Sequence, residues 1–312
     1  MTTTAGRALK TQSAFSLWAN RHRKWVLAAP AMVFVALLIA FPLGWTLYLS
    51  FTDAAGSIRA PHDLIGFENY IDVLSDTDRF WPAVARTAFF TVGAMVVEMV
   101  LGMLIALLLV RVVAPVRIVL MTGLVLVWAM PAVVAVQVWY WMTNFQNGVL
   151  NHILTQLHVG DYDQHDWYAT TFSKLAMVTL LIVWGALPFV AISLYAGLAQ
   201  VPPELVEAAE IDGAGPLRVF RDITFPTLKP IVFILTSLSI IWDFGVFTQP
   251  YLLIGSAHVD SSNYLMGVYV YIEGYAHSDF GRGAAISMLM LLIDAALSDV
   301  YVRGKVRMEE IT

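Results

Sequence analysis

The sequence predicts an all-α integral membrane protein with six transmembrane helices and both termini in the cytoplasm. Three observations predict it. Of 312 residues, 59% are hydrophobic and only 13% charged, about half the charged share of an ordinary soluble domain. A water-soluble fold of this size has no means of hiding so much apolar surface. Six segments free of Lys and Arg are long enough to span, and the Lys and Arg residues collect on one side of the implied membrane.

A helix rising 1.5 Å per residue needs about 20 residues to cross about 30 Å of hydrocarbon. The candidate spans are residues 25–49, 87–110, 118–142, 175–199, 231–255 and 284–302. The first follows a mostly polar stretch ending in Arg21, His22, Arg23 and Lys24. Its apolar run exceeds the roughly 7–15 residues of a signal-peptide core, which argues against a leader cut near residues 28 and 29. Pro30 and Pro42 fall in the first span, Pro131 in the third, Pro188 in the fourth and Pro250 in the fifth. They are read as kinks rather than breaks, because neighbouring helices can satisfy the freed carbonyls. The sixth span is the shortest and carries Asp294 and Asp299, so its bounds are the least defined.

With a cytoplasmic N-terminus, thirteen basic residues lie inside: Arg7, Lys10, Arg21, Arg23, Lys24, Arg111, Arg117, Arg218, Arg221, Lys229, Arg303, Lys305 and Arg307. Five lie outside: Arg59, Arg79, Arg86, Lys174 and Arg282. Acids lean outward, with Asp53, Asp63, Glu68, Asp72, Asp76 and Asp78 in the first outer loop and Asp161, Asp163 and Asp166 in the second. The organisation expected is a cytoplasmic segment 1–24, a membrane domain 25–302 and a cytoplasmic tail 303–312.

One cytoplasmic connection, residues 201–230 between the fourth and fifth spans, has room for structure. Pro202 and Pro203 suit a helix start. Glu204, Glu207 and Glu210 are three apart, on one side of that helix. Ala208 and Ala209 leave a small-residue surface, and Gly213, Gly215 and Pro216 end the helix. A second short helix with Leu217, Phe220 and Ile223 on one face is expected before Pro226 and Pro230 open the fifth span. Taken by its periodicity, this hairpin fits equally a linker on the membrane surface or a docking element.

The loop resembles the EAA loop of binding-protein-dependent ABC importer permeases. The residues that carry the likeness are Glu207, Ala208 and Ala209, then Asp212, Gly213 and Ala214, then Phe220, Ile223, Phe225 and Pro226, at the family's spacing. Gly66, Phe67, Glu68, Asn69 and Tyr70 after the first span, residues 247–255, and Asp279, Phe280 and Gly281 resemble further segments of the sugar subgroup, which imports maltose, trehalose and glycerol phosphates. Within that subgroup the likeness runs to the first permeases of trehalose importers. The resemblance implies a subunit forming half of a translocation pathway for a disaccharide such as trehalose. Its implied partners are a second permease of different sequence, two copies of an ATPase subunit, and an extracytoplasmic binding protein or lipoprotein. A coupling helix seated on the ATPase would use Glu207, Ala208, Ala209, Asp212, Gly213, Ala214, Leu217 and Phe220. Gly213 would allow the tight turn after it.

Other classes find little support. No GxxxxGK[ST] loop is present, so ATP and Mg²⁺ belong to a partner, and the chain is expected to be neither an enzyme nor a cofactor carrier. The seven histidines lack ligand spacing, so no metal site is expected. No basic tract suggests nucleic acid. Within the spans, Asp243 stands beside Trp242 and is followed by Phe247, Gln249 and Tyr251, a mixture of carboxylate, amide and rings that suits a sugar. With Gln137 these are the substrate-pathway candidates, the structural alternative for Asp243 being a pairing with another helix. Glu98 and Asp294 read as helix–helix bonds. Trp139 and Trp141, near the outer end of the third span, read as an interfacial belt. The competing function is an ion-coupled secondary transporter using the intramembrane acids, which would leave the EAA-like loop without a role.

Overall fold

A computed structural model describes residues 23–58, 62–254 and 263–309. The positions of Arg7, Lys10, Arg21, Arg59 and Gly255, and all but the end of segment 1–24, lie outside the described residues. The described residues form helices joined by turns and two isolated β-bridges, with no strand among them.

The first span is α1 (Arg23–Val35) and α2 (Phe41–Leu49), joined by the π turn Ala36–Ala40. After it comes α3 (Glu68–Ser75), then the long α4 (Phe80–Arg111). Next are α5 (Ala114–Trp128) and α6 (Ala132–Met142), the short helix α7 (Val149–Gln156), and α8 (Thr171–Leu198). The connection that follows holds α9 (Pro203–Ile211). After it, α10 (Pro216–Val219), the π turn Phe220–Thr224 and α11 (Phe225–Phe244) form one apolar stretch. Beyond lie α12 (Thr248–Ile254), α13 (Met266–Tyr271) with its π turn Ile272–Ala276, and α14 (Phe280–Glu309).

Local chemistry sets several of these bounds. Thr170 and Ser173 form a capping box at the start of α8, the Thr170 hydroxyl accepting the Ser173 N–H at 3.1 Å, which satisfies one of the helix's orphan donors. At the end of α4 the Arg117 guanidinium donates to the carbonyls of Leu109 at 2.8 Å and Val112 at 3.1 Å, and to the Tyr195 hydroxyl at 3.2 Å. A cation there also complements the negative end of the helix dipole.

Among the described residues five helices are long and apolar enough to cross a membrane: Leu27–Leu49, Phe80–Arg111, Thr171–Leu198, Pro216–Phe244 and Phe280–Arg303. The third expected span differs from the sequence reading. It is not one kinked helix: α5 and α6 meet at 101°. Ala129 closes α5, and Pro131, extended at ψ 135°, starts α6. Proline has no N–H to continue the α5 ladder, and its ring pushes the preceding residue away from helical geometry. The fifth span also departs from the expected 231–255. Its helix begins at Pro216, so the expected second short helix is the N-terminal end of the span itself. The π turn widens the backbone just before Pro226, where a regular turn would meet the proline ring. At the other end α11 stops at Phe244, and Pro250 falls in the first turn of a separate helix, α12. The sixth helix starts at Phe280, earlier than expected.

The core is built on α4, α8 and α11. Phe90 and Ala94 pack with Met177, Val178 and Leu181, and Ala106 packs with Val190 and Leu194. Contacts therefore advance together along α4 and α8, so the two helices are parallel. A Cβ on Gly102 would stand 2.5 Å from the Val190 side chain, so glycine there sets their close approach. Leu235 of α11 joins Ala106 and Leu194, while Ser239, one turn later, reaches Glu98. That ordering makes α11 antiparallel to both. α14 runs back against α11, with Tyr301 stacked on Phe233 at 5.4 Å. The apolar window of the first span buries none of its residues within the chain, although Leu49 at its end packs with Ala54 and Ala284.

At the acidic-loop end, a polar network ties α3, α4, the π turn after α13 and α14 together. Arg282, 13% exposed, pairs with Asp72, with Asp76 at 2.9 Å and with Glu273 at 3.5 Å. Arg79 bridges the same Asp76 and Glu273 at 3.1 and 3.2 Å. The Tyr269 hydroxyl donates to Asp76 at 3.4 Å.

Candidate translocation cavity and coupling helix

The turn after α9 is built by chain-reversal chemistry. Pro203 opens α9 and Asp212 closes it. The Ala214 N–H then donates to the Ala209 carbonyl at 2.9 Å, and the Gly213 N–H to the Glu210 carbonyl at 3.0 Å. Gly213 takes φ +82°. These two bonds around a left-handed glycine make a Schellman motif, which satisfies the last carbonyls of α9. Gly215 and Pro216 then start the next helix. Glu207, Ala208, Asp212, Gly213 and Leu217 are exposed, while Ala209, Ala214 and Phe220 are half-buried. Ile211 is 86% exposed and Leu217 80%. Together they put apolar side chains on the exposed turn, and the sequence reading overlooked Ile211; its signal was an isoleucine closing a short helix otherwise rich in acids. Behind α9 lies a cavity of about 640 Å³ whose walls include Arg111, Leu198, Glu207, Glu210, Leu217 and Phe220. The ends of α4 and α8 thus meet at the same place as the turn.

A second cavity, of about 260 Å³, opens where the third span breaks. Trp128, Met130 and Ala132, on either side of that break, form one wall. Trp184 and Phe189 of α8 form another, and Trp242, Asp243 and Gln249 a third. Phe189 stacks on Trp128 with ring centres 6.4 Å apart and leans on Trp242 at 5.4 Å. Asp243 is 4% exposed, and its Oδ2 has no hydrogen-bond partner among the described residues. One turn earlier on α11 the Ser239 hydroxyl donates to Glu98 at 2.8 Å. Glu98 therefore makes a helix–helix bond, as its position in the second span suggested. Asp294 lines a different cavity, and its Oδ1 is unpartnered among the described residues.

Three of the six pathway candidates, Trp242, Asp243 and Gln249, share this cavity. Phe247 and Tyr251 do not line it. They stack on each other at 5.1 Å and against Tyr271 at 5.1 and 4.8 Å, in an aromatic cluster with Tyr264 and Tyr269. Gln137 is exposed and absent from its walls. Trp139 packs edge-on to Trp184 at 6.3 Å, within the core rather than as a belt residue, whereas Trp141 is 60% exposed. The aromatic wall of Trp128, Trp184 and Phe189 was not nominated from the sequence, because two helices distant in sequence, α5 and α8, assemble it. Among the described residues no group of His, Cys, Asp and Glu could hold a metal.

A family model of the inner membrane component of binding-protein-dependent transport systems matches residues 98–298. The chain belongs to that family. It is thus a multi-pass component of the inner membrane. The diacetylchitobiose uptake system permease protein DasB of Streptomyces coelicolor is 41% identical over 288 residues, covering 92% of this chain and 87% of the relative. The trehalose transport system permease protein SugA of Mycobacterium tuberculosis is 29% identical over 290 residues, covering 92% and 90%. Among solved structures, a bacterial ABC transporter involved in the import of the acidic polysaccharide alginate has a chain matching with a TM-score of 0.79 at 18% identity. That match covers 93% of this chain and 98% of the other, which establishes a shared fold.

Proposed function

We propose that this chain is one of two permease subunits of an ATP-driven importer of neutral saccharides of disaccharide size, with ATP hydrolysed by a separate subunit. The observation that carries the reading is the α9 turn. Glu207, Ala208 and Ala209 stand on a short helix closed by Gly213 at φ +82°, and an exposed apolar tip, Ile211 and Leu217, projects beside them. In the family's scheme this turn docks on an ATPase subunit and transmits its closure to α8 and α11. Its seat below α4 and α8 supports a mechanical link of that kind.

A topology of six spans with both termini inside follows from the same reading. The parallel course of α4 and α8 supports it, since the chain between them must return to the far end, and the bent pair of α5 and α6 supplies that passage. The distribution of Lys and Arg gives the same sidedness. Aromatic faces around a carboxylate and an amide suit sugar rings and hydroxyls, so Trp128, Phe189, Trp242, Asp243 and Gln249 are the proposed pathway contacts. The relative named for diacetylchitobiose is more similar than the one named for trehalose, so substrate is assigned as a class rather than as trehalose. An extracytoplasmic binding protein would deliver it. Membership of the family speaks against the ion-coupled alternative.

The test is co-purification of the tagged chain from its native membrane in mild detergent, with and without Gly213→Val. Recovery of an ATPase subunit and a second permease by the parent, with loss or uncoupling in the variant, is the expected result. Recovery of the well-folded parent alone would sink the reading.

A further inference from the structure

The connection between α6 and α8 carries a cavity of about 310 Å³ that the translocation pathway does not use. We propose that it is a saccharide subsite on the outer face, taking a neutral sugar of one or two rings before it enters the membrane cavity. The proposal rests on the sugar-import reading above and adds a place of contact to it.

The cavity is held open by bonds that leave its rim groups free. Asn151, 5% exposed, forms part of its lining and is fixed on both sides of its amide. Its Oδ1 accepts the Trp167 indole N–H at 2.6 Å and its Nδ2 donates to the His165 carbonyl at 2.9 Å. Trp167 stacks on Tyr162 at 5.6 Å with rings 7° apart, and the Tyr162 N–H donates to the Thr155 hydroxyl at 3.2 Å. The returning loop is thereby pinned across α7. On the opposite rim the Asn144 side chain accepts the backbone N–H groups of Gln146 and Asn147 at 3.0 and 3.1 Å.

The side chains of Gln146, Asn147, Asp163 and Gln164 line the opening and, among the described residues, make no hydrogen bond to protein. Gln164 lines it from φ +54°, a left-handed conformation that a long side chain rarely adopts, and strain of that kind collects at ligand sites. Three primary amides and one carboxylate offer donors and acceptors side by side, which is what vicinal hydroxyls require, while the His152 Nε2 is held by the Gln156 amide at 2.9 Å. No Lys or Arg lines the cavity, and Asp161 and Asp166 flank it in the chain, so an anionic ligand is disfavoured. Its volume is at the lower end of small-molecule sites, about 300–1,000 Å³. Protein interfaces instead centre on buried aromatic or arginine anchors, and the loop's own aromatics are spent on one another.

Saturation-transfer NMR on the full chain in nanodiscs tests this, with maltose, trehalose and diacetylchitobiose as probes and galacturonate as the anionic control. The variant is Asp163→Ala with Gln164→Gly; glycine accepts φ +54°, so the loop keeps its fold. At least one neutral probe is expected to bind the parent and to lose tenfold or more in affinity in the double variant. Arg303→Gln, at a position that lines neither cavity, should leave that signal in place, and galacturonate should give none. Equal binding by parent and double variant would overturn the subsite, as would absence of signal from every neutral probe. So would an unchanged sugar signal with lost capture of the binding protein, which would make this face a protein-docking surface. None of these three touches the importer reading, whose own failure shows as absence of an ATPase partner.

Discussion

Replacing Arg282 with Gln should destabilise the protein far more than any exposed charge does. Its guanidinium is 13% exposed and faces Asp76, 11% exposed, and Glu273, 5% exposed. Asp72, also paired with Arg282, is 63% exposed, so that contact is screened and contributes little. The substitution removes one of two cations serving two buried carboxylates. Breaking a buried pair costs about 3–5 kcal/mol because the remaining charge stays desolvated. Arg79 still bridges Asp76 and Glu273, at 3.1 and 3.2 Å, which places the cost at the lower end, about 3 kcal/mol. At about 2–4 °C per kcal/mol, the melting temperature in detergent should fall by roughly 6–12 °C. Arg303→Gln is the control. Its pair with Asp299 has side chains 77% and 52% exposed, and its melting temperature should match the parent's. Adding Glu273→Gln to Arg282→Gln should recover part of the loss, since it removes one stranded charge. If Arg282→Gln melts with Arg303→Gln, the network carries no such energy and the burial argument fails.

Three further outcomes are expected. Gly102→Leu should force α4 from Val190 and cost about 1–3 kcal/mol or more, read as a lower melting temperature, with Gly102→Ala milder and Val190→Ala partly restoring the Leu variant. Gly213→Val should abolish coupled uptake while leaving the melting temperature within a few degrees of the parent, because a branched residue resists φ +82° yet the turn buries little; Gly213→Asn, which tolerates left-handed angles, should retain more uptake. Trp242→Ala should lower sugar uptake at least tenfold, whereas Gln137→Ala, outside the cavity, should leave it near the parent's value; equal effects would remove the cavity from the pathway.

Much of the architecture was legible because the bilayer is a demanding solvent. Apolar runs of about 20 residues announce five of the helices before any tertiary contact is known. The α9 turn was legible too, since Pro203 and Gly213 are each chosen for a backbone angle, and local geometry alone requires them. Proline was the weak point. Pro188 sits inside a continuous α8, while Pro131 separates α5 from α6 by 101°. The residue is the same, and the difference lies in whether packed neighbours hold the chain through the missing hydrogen bond. The same limit hid most of the cavity's aromatic lining. Trp128, Phe189 and Trp242 lie on three helices, and Arg282 meets Asp76 across some 200 positions of chain. No periodicity links such residues. Composition and local spacing determined that this chain crosses a membrane and where the turn after α9 falls. Only tertiary packing decided where a span breaks, which rings line the cavity and which charges share a buried network, because those depend on contacts between helices that side-chain shape and desolvation select together.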